Sequence, residues 1–220
     1  MNFIIRNAEV FDGTGSDAQA NTDVWVRDGQ IAAVGPEIDA PDAEVIDATG
    51  LSLMPGIIDT HTHFDAQVTW DPTVRPSPAL GVTTVVMGNC GFTIAPCKEA
   101  DREIVMKNLT QVEGMSLDAL RDGIDWGFET FPDYVAMLAK KGTVPNVACF
   151  LGHSSIRTYV MGAAATERAA TPDEVKQMCD IVEAGMAAGA IGFATSTAPQ
   201  HNGWGGVPMP SRLADDNELL

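Results

Sequence analysis

Four short apolar runs, separated by segments of helical character, constrain the fold of this chain most strongly. An uninterrupted apolar run of this length is typical of a strand buried on both faces of a parallel sheet. Because parallel strands need crossovers, which helices usually supply, the alternation predicts a parallel α/β architecture with right-handed crossovers. The runs are Leu53–Asp59, Thr83–Met87, Val147–Leu151 and Ala190–Ala194.

The clearest helix start lies at Thr171. Its hydroxyl suits an N-cap, Pro172 suits the first helical position, and Glu174 completes a capping box. Apolar residues then recur on one face, and Gly189 is the predicted stop. The segments predicted between the second and third apolar runs are a helix around 99–110, an acidic loop over 113–129 and a helix over 132–141.

The first part of the chain has a different texture. It contains only short β-prone stretches, and Asp28-Gly29 suits a tight hairpin turn between two of them. We therefore predict a small all-β unit over residues 1–54 and an α/β unit over residues 55–220.

The acidic composition excludes several classes of function. The chain of 220 residues carries a formal net charge of −17, whereas a nucleic-acid binder needs a basic surface and an anionic membrane would repel this charge. No apolar stretch approaches the roughly 20 residues of a transmembrane helix. The four cysteines are scattered rather than paired, as in a reducing compartment. The sequence predicts a cytoplasmic protein that binds neither nucleic acid nor membrane.

Two histidines follow the first apolar run, in Asp59-Thr60-His61-Thr62-His63. Residues i and i+2 of a strand share a face, so His61 and His63 project together. Active sites of parallel α/β folds lie beyond the carboxyl ends of the strands, where two imidazoles are placed to hold a metal ion. The competing interpretation is two histidines that lie there by chance.

Cys90 follows the second run, between Gly88 and Gly91. A thiolate is a strong zinc ligand, although most free cysteines are small buried hydrophobes. Its place at the equivalent end of the neighbouring strand favours ligation. His153, after the third run, would line the pocket, contact substrate or support a metal ligand, and the competing interpretation is a hydrogen-bonded structural histidine. His201, in a glycine-rich loop, is a weaker candidate, and the other three cysteines are interpreted as structural.

At these residues the sequence resembles the amidohydrolase superfamily, and within it the N-acyl-D-amino-acid deacylase (D-aminoacylase) branch. The motif Pro55–His63 marks the superfamily. The GNCG segment, Gly88–Gly91, and the aromatic segment, Trp126–Tyr134, point to the branch. The matching segments are Pro55–His63, Gly81–Val86, Gly88–Gly91, Trp126–Tyr134 and Gly152–Arg157.

The resemblance implies a small β-sandwich beside a metal-bearing (β/α) barrel, of which about the first four βα units fit into this chain. It also implies one or two zinc ions, held here by His61, His63 and Cys90, and hydrolysis of an N-acyl-D-amino acid to a carboxylate and a D-amino acid. Many binuclear amidohydrolases use a carboxylated lysine after the fourth strand, and no lysine lies between Met186 and His201. That difference favours the deacylase branch.

The family's remaining ligands and its general-base Asp are expected beyond Leu220, so the sequence predicts the N-terminal part of a longer enzyme. On its own the chain is expected to bind metal weakly and to show little deacylase activity. One alternative is a cyclic-amide hydrolase of the dihydropyrimidinase or hydantoinase type. The other is a non-catalytic fragment that self-associates as a homo-oligomer or pairs with a complementary C-terminal half.

Overall fold

The fold is given by a computed structural model that describes residues 1–219, except for the side chain of Glu113. The chain separates into two compact units, Met1–Gly56 and the residues from Ile57 onward. The strands are β1 Asn2–Val10, β2 Gln19–Arg27, β3 Gln30–Gly35, β4 Glu44–Asp47, β5 Ser52–Leu53, β6 Ile57–Asp59, β7 Val82–Met87, β8 Asn146–Cys149, β9 Leu151–Gly152 and β10 Phe193–Ala194. The helices are α1 Arg102–Glu113, α2 Leu117–Gly123, α3 Phe131–Lys141, α4 His153–Met161, α5 Pro172–Ala187 and α6 Asp216–Leu219.

The first unit is built on one five-stranded mixed sheet. Strand β1 pairs antiparallel with β2 and parallel with β4 and β5, while β3 pairs antiparallel with β2. The turn between β2 and β3 has positive φ angles at Asp28 (51°) and Gly29 (77°), which a two-residue hairpin of this kind requires. The predicted hairpin is therefore confirmed.

The second unit contains the parallel strands that the apolar runs predict. Strands β6, β7 and β8 form a parallel sheet in chain order, and β9 pairs parallel with β10. Backbone hydrogen bonds continue between these two groups, from Phe150 N to Met87 O (2.9 Å) and from Ile191 N to Cys149 O (3.0 Å). The carboxyl ends of successive strands therefore lie side by side.

The first and fourth apolar runs are not buried on both faces, which corrects the sequence prediction. In the fourth run, Ile191 and Phe193 are 50% and 41% exposed. Ile57 and Ile58 are 45% and 58% exposed, whereas Val85 on the neighbouring strand is fully buried. Among residues 1–219, β6 has a strand partner on one side only. An edge strand lacks a second neighbouring strand, whose side chains would shield part of its apolar side chains from solvent.

The helix starts are confirmed where capping residues are present. Thr130 and Thr171 both form capping boxes, with Asp133 and Glu174 respectively. The predicted acidic loop over 113–129 is wrong in part, because α2 forms there and buries Leu120 in the core. Of the helices in residues 1–219, none has the length and apolar character that a membrane crossing requires.

Packing between α5 and β9 leads to a stability prediction. A Cβ atom at Gly185 would stand 2.5 Å from Cδ2 of Leu151, which is fully buried. We expect Gly185→Ala to lower the free energy of unfolding by about 1–2 kcal/mol, because overpacking outweighs the gain in helix propensity. Urea denaturation measures this change, and the exposed position Lys176→Ala on the same helix should stay within about 0.5 kcal/mol. An unchanged midpoint for Gly185→Ala would contradict the packing described.

Candidate metal centre

The structure brings His61, His63 and Cys90 together. One ligand atom from each residue lies within 4.8 Å of the other two. The Sγ atom of Cys90 is 3.5 Å from Nε2 of His61, and the two imidazole centroids are 5.4 Å apart. His61 is exposed, and the other two side chains are half-buried, so the cluster is open to a small ion.

Hydrogen bonds between the segments that follow β6 and β7 create this convergence. Thr62 donates to the carbonyl oxygen of Val86 through its backbone N–H (3.0 Å) and through its hydroxyl (2.7 Å). Nδ2 of Asn89 donates to the carbonyl oxygens of Thr62 (3.2 Å) and Val86 (3.0 Å). Because the strands are parallel, their polar ends meet at the same edge of the sheet.

The turn that carries Cys90 needs its glycines. Gly88 and Gly91 have φ angles of 83° and 78°, and Cys90 between them has a φ of 57°. A Cβ atom on Gly88 would stand 2.6 Å from the carbonyl oxygen of Phe150, and one on Gly91 would stand 2.9 Å from that of Ala194. Only glycine, which has no Cβ atom, fits at positions 88 and 91 without a steric clash.

The electrostatics of the cluster favour neutral imidazole. Burial, together with the charges of His61 and His201, lowers the pKa of His63 to about 4. At pH 7 this ring is therefore unprotonated, which is the form that binds a metal ion. Burial also raises the pKa of Asp65 to about 7, and the backbone N–H of Gly88 donates to its carboxylate (3.2 Å).

The donor set fits a zinc ion. Two imidazole nitrogens and one thiol sulfur are ligand types that zinc takes in proteins, and soft sulfur disfavours magnesium or calcium.

The other three cysteines lie outside this donor set. Cys97 and Cys149 are buried thiols, and burial raises the pKa of Cys97 to about 12. Cys179 is exposed, and none of these three cysteines belongs to the cluster of His61, His63 and Cys90.

His153 lies outside the three-residue cluster, inside the fold. Its Nδ1 is 2.8 Å from Oγ1 of Thr195, and its Nε2 is 2.6 Å from Oε1 of Glu218. Glu218 also pairs with Arg157, whose side chain is fully buried. Sequence reasoning missed this buried charge cluster, since nothing in the local pattern distinguishes Arg157 from a surface arginine.

His201 lies closer to the cluster than its loop position suggested. Its ring packs edge-on against Phe92 with centroids 5.1 Å apart, and Phe92 stacks on His63 at 6.4 Å. Nδ1 of His201 is 2.8 Å from the hydroxyl oxygen of Ser196. The missed residues nearest the centre are Asn89 and Phe92, and the only available signal was their place beside Cys90 in the sequence.

Comparison with known proteins places this arrangement in a family. The sequence pattern of the amidohydrolase family matches residues 44–207, which is most of the chain. The chain belongs to the amidohydrolase family. Within it, this amidohydrolase is 39% identical over 195 residues to an N-acyl-D-aspartate deacylase of Alcaligenes xylosoxydans xylosoxydans, covering 89% of this chain and 36% of that protein.

Two solved structures are similar to this amidohydrolase over nearly its whole length. N-acyl-D-glutamate deacylase from Bordetella bronchiseptica, complexed with zinc and a phosphonate inhibitor, matches with a TM-score of 0.79 at 32% identity and covers 100% of this chain and 41% of that one. A D-aminoacylase studied for its binuclear metal centre matches with a TM-score of 0.78 at 34% identity, covering 99% and 41%. The chain spans 37% of the length of a D-aminoacylase of Alcaligenes xylosoxydans xylosoxydans and 36% of that of the N-acyl-D-aspartate deacylase.

Proposed function

We propose that this chain carries the first part of the active site of a zinc-dependent N-acyl-D-amino-acid deacylase. The observation that carries the proposal is the convergence of His61, His63 and Cys90, one ligand atom from each within 4.8 Å of the others. The ligands follow adjacent parallel strands, β6 and β7, at the edge where α/β enzymes build their sites. Similarity to deacylases over 89% of the chain supports the reaction class.

In this proposal His61, His63 and Cys90 hold one or two zinc ions. When bound, zinc supplies a Lewis acid that activates water and polarises an amide carbonyl. The low pKa of His63, about 4, keeps its ring ready to bind at neutral pH. Thr195 and Glu218 engage both ring nitrogens of His153, so contact with a substrate would require one of these hydrogen bonds to be exchanged.

The proposed reaction adds water across the amide bond of a small N-acyl-D-amino acid. The C–N bond breaks, the acyl carbon becomes a carboxylate, and the nitrogen leaves with a proton as the free D-amino acid. The proton transfer requires a general base, for which we propose an Asp outside these 220 residues. We also propose that the chain contributes about four βα units of a (β/α) barrel, with Met1–Gly56 in a β-sandwich, in a cytoplasmic enzyme.

The test compares substrates in the presence of zinc. With the chain paired with a complementary C-terminal half, we expect release of the free D-amino acid from N-acetyl-D-aspartate or N-acetyl-D-glutamate, no release from the L enantiomers, and no opening of hydantoin or dihydrouracil. Amine formation measured with a fluorogenic reagent reports deacylation, and a colorimetric assay for the ureido group reports opening of the cyclic amides, whose carbamoyl products carry no free amine. Turnover of the cyclic amides instead would favour the hydantoinase-type alternative.

The chain spans only 36–37% of the length of the D-aminoacylase and of the N-acyl-D-aspartate deacylase, and this share decides how fast we expect the chain to hydrolyse substrate. We expect the isolated 220-residue chain to show little activity, and a homo-oligomer or a complementary C-terminal half to be required for turnover. Native mass, measured together with activity, tests this expectation. Rapid turnover by a homogeneous 220-residue monomer would contradict it.

A further inference from the structure

We propose that Asn89 and Asp65 are positioning residues that hold Cys90 in its ligand geometry before any metal arrives. The inference rests on the proposed function for its purpose, because it assumes that the Cys90 thiol is a ligand. The structural part of the inference is that two side chains hold the turn of Cys90. It depends on hydrogen bonds within the chain, and the rigidity of the turn can be measured in the metal-free protein.

The backbone at Cys90 has an unfavourable conformation. Its φ of 57° lies in the left-handed region, which is unfavourable for a residue with a side chain unless the surroundings hold it there. Gly88 and Gly91 adopt the same region without that cost. A cysteine held this way between two glycines would relax unless other contacts fixed the turn.

Asn89 supplies contacts of this kind. Its Nδ2 donates to the carbonyl oxygen of Val86, three residues earlier in β7, and to that of Thr62, which lies between the two histidines. One side chain therefore ties the turn of Cys90 to the segment that carries His61 and His63. The backbone N–H of Phe92 also donates to the carbonyl oxygen of Asn89 (3.1 Å), which closes the turn on its other side.

Asp65 fixes the same turn from the interior. Its side chain is almost completely buried, and its Oδ2 accepts the backbone N–H of Gly88 at 3.2 Å. The hydroxyl of Tyr134, also buried, donates to the backbone carbonyl oxygen of Asp65 at 2.9 Å. Asp65 follows His63 by two residues, so this contact is a second link between the histidine segment and the cysteine turn.

These links set the spacing of the donor atoms through the protein itself. Groups that orient metal ligands through hydrogen bonds typically change metal affinity by about 10–100-fold when they are removed. The proposal therefore predicts that loss of either link loosens the turn of the metal-free protein and weakens its zinc affinity, while the ligands themselves remain.

The variants are Asn89→Ala and Asp65→Ala, with Asp65→Asn as the conservative replacement that keeps an oxygen acceptor for Gly88. Asn146→Ala is a matched control, because Nδ2 of Asn146 donates to the carbonyl oxygen of Thr83 (3.2 Å) near the opposite end of β7. Amide hydrogen exchange of residues 88–92 in the metal-free protein is the first readout. Zinc affinity, by competition with a chromophoric chelator, and the cobalt-to-thiolate absorption band are the second.

We expect exchange of residues 88–92 to accelerate by about tenfold in Asn89→Ala, which loses two side-chain hydrogen bonds, and in Asp65→Ala, which loses one. Zinc affinity should fall by about 10–100-fold, with a shifted cobalt–thiolate band. Asp65→Asn should restore most of both, and Asn146→Ala should leave both unchanged. Unchanged exchange in the two alanine variants would overturn the inference. If the turn loosens but the unaltered protein binds no zinc, the positioning stands and the proposed function fails.

Discussion

Replacing Cys90 with serine should strip most of the zinc from the protein. The substitution keeps the size of the side chain but replaces the thiolate, a strong zinc ligand, with a hydroxyl that stays protonated at neutral pH. Loss of a direct ligand should reduce zinc affinity by at least about 100-fold, the upper end of the effect of removing a hydrogen-bonding support. Elemental analysis of the purified variants measures the effect, and His61→Ala and His63→Ala should behave in the same way.

The cysteine controls make this result specific. Cys179→Ser changes an exposed thiol, and Cys97→Ala changes a buried one, so both should retain the zinc content of the unaltered protein. Far-UV circular dichroism should show that each variant is folded. Full zinc content in the folded His61, His63 and Cys90 variants would refute the ligand assignment.

The replacement Arg157→Met should strongly destabilise the second unit. The Arg157 side chain is fully buried, pairs with Glu218, whose side chain is 3% exposed, and donates to the carbonyl oxygens of Ala165 (3.3 Å) and Arg168 (2.9 Å). Removing the cation leaves a buried carboxylate without its charged partner. The expected loss in free energy of unfolding is about 3–5 kcal/mol, measured by urea denaturation.

Two further variants separate the buried pair from arginine loss in general. Arg168→Met breaks an ion pair with Glu174 (2.7 Å) in which the arginine is 47% exposed, and should cost less than about 1 kcal/mol. The double variant Arg157→Met/Glu218→Met removes both buried charges and should recover part of the lost stability. Equal losses in the free energy of unfolding for Arg157→Met and Arg168→Met would show that burial of the Arg157–Glu218 pair does not increase its contribution to stability.

Local signals explain why several elements could be predicted. The Asp28-Gly29 turn and the capping box of Thr171 depend on neighbouring residues, so a few consecutive letters of the sequence were enough to predict them. Helix α2 was missed because its seven residues, Leu117–Gly123, carry little apolar periodicity. Its formation depends on burial of Leu120 in the core, which is a tertiary contact.

Sequence patterns alone were enough to predict the α/β architecture of the second unit and the nearness of His61 to His63, which are two residues apart, although β6 ends at Asp59 and both histidines lie in the segment after it. Tertiary structure alone decided that Asn89 and Asp65 brace the cysteine turn, that His201 packs beside Phe92, and that Ile57 and Ile58 are exposed. It also decided the pairing of Arg157 with Glu218, 61 residues later. Contacts between distant segments depend on how strands and loops pack, and no local period of the sequence encodes that packing.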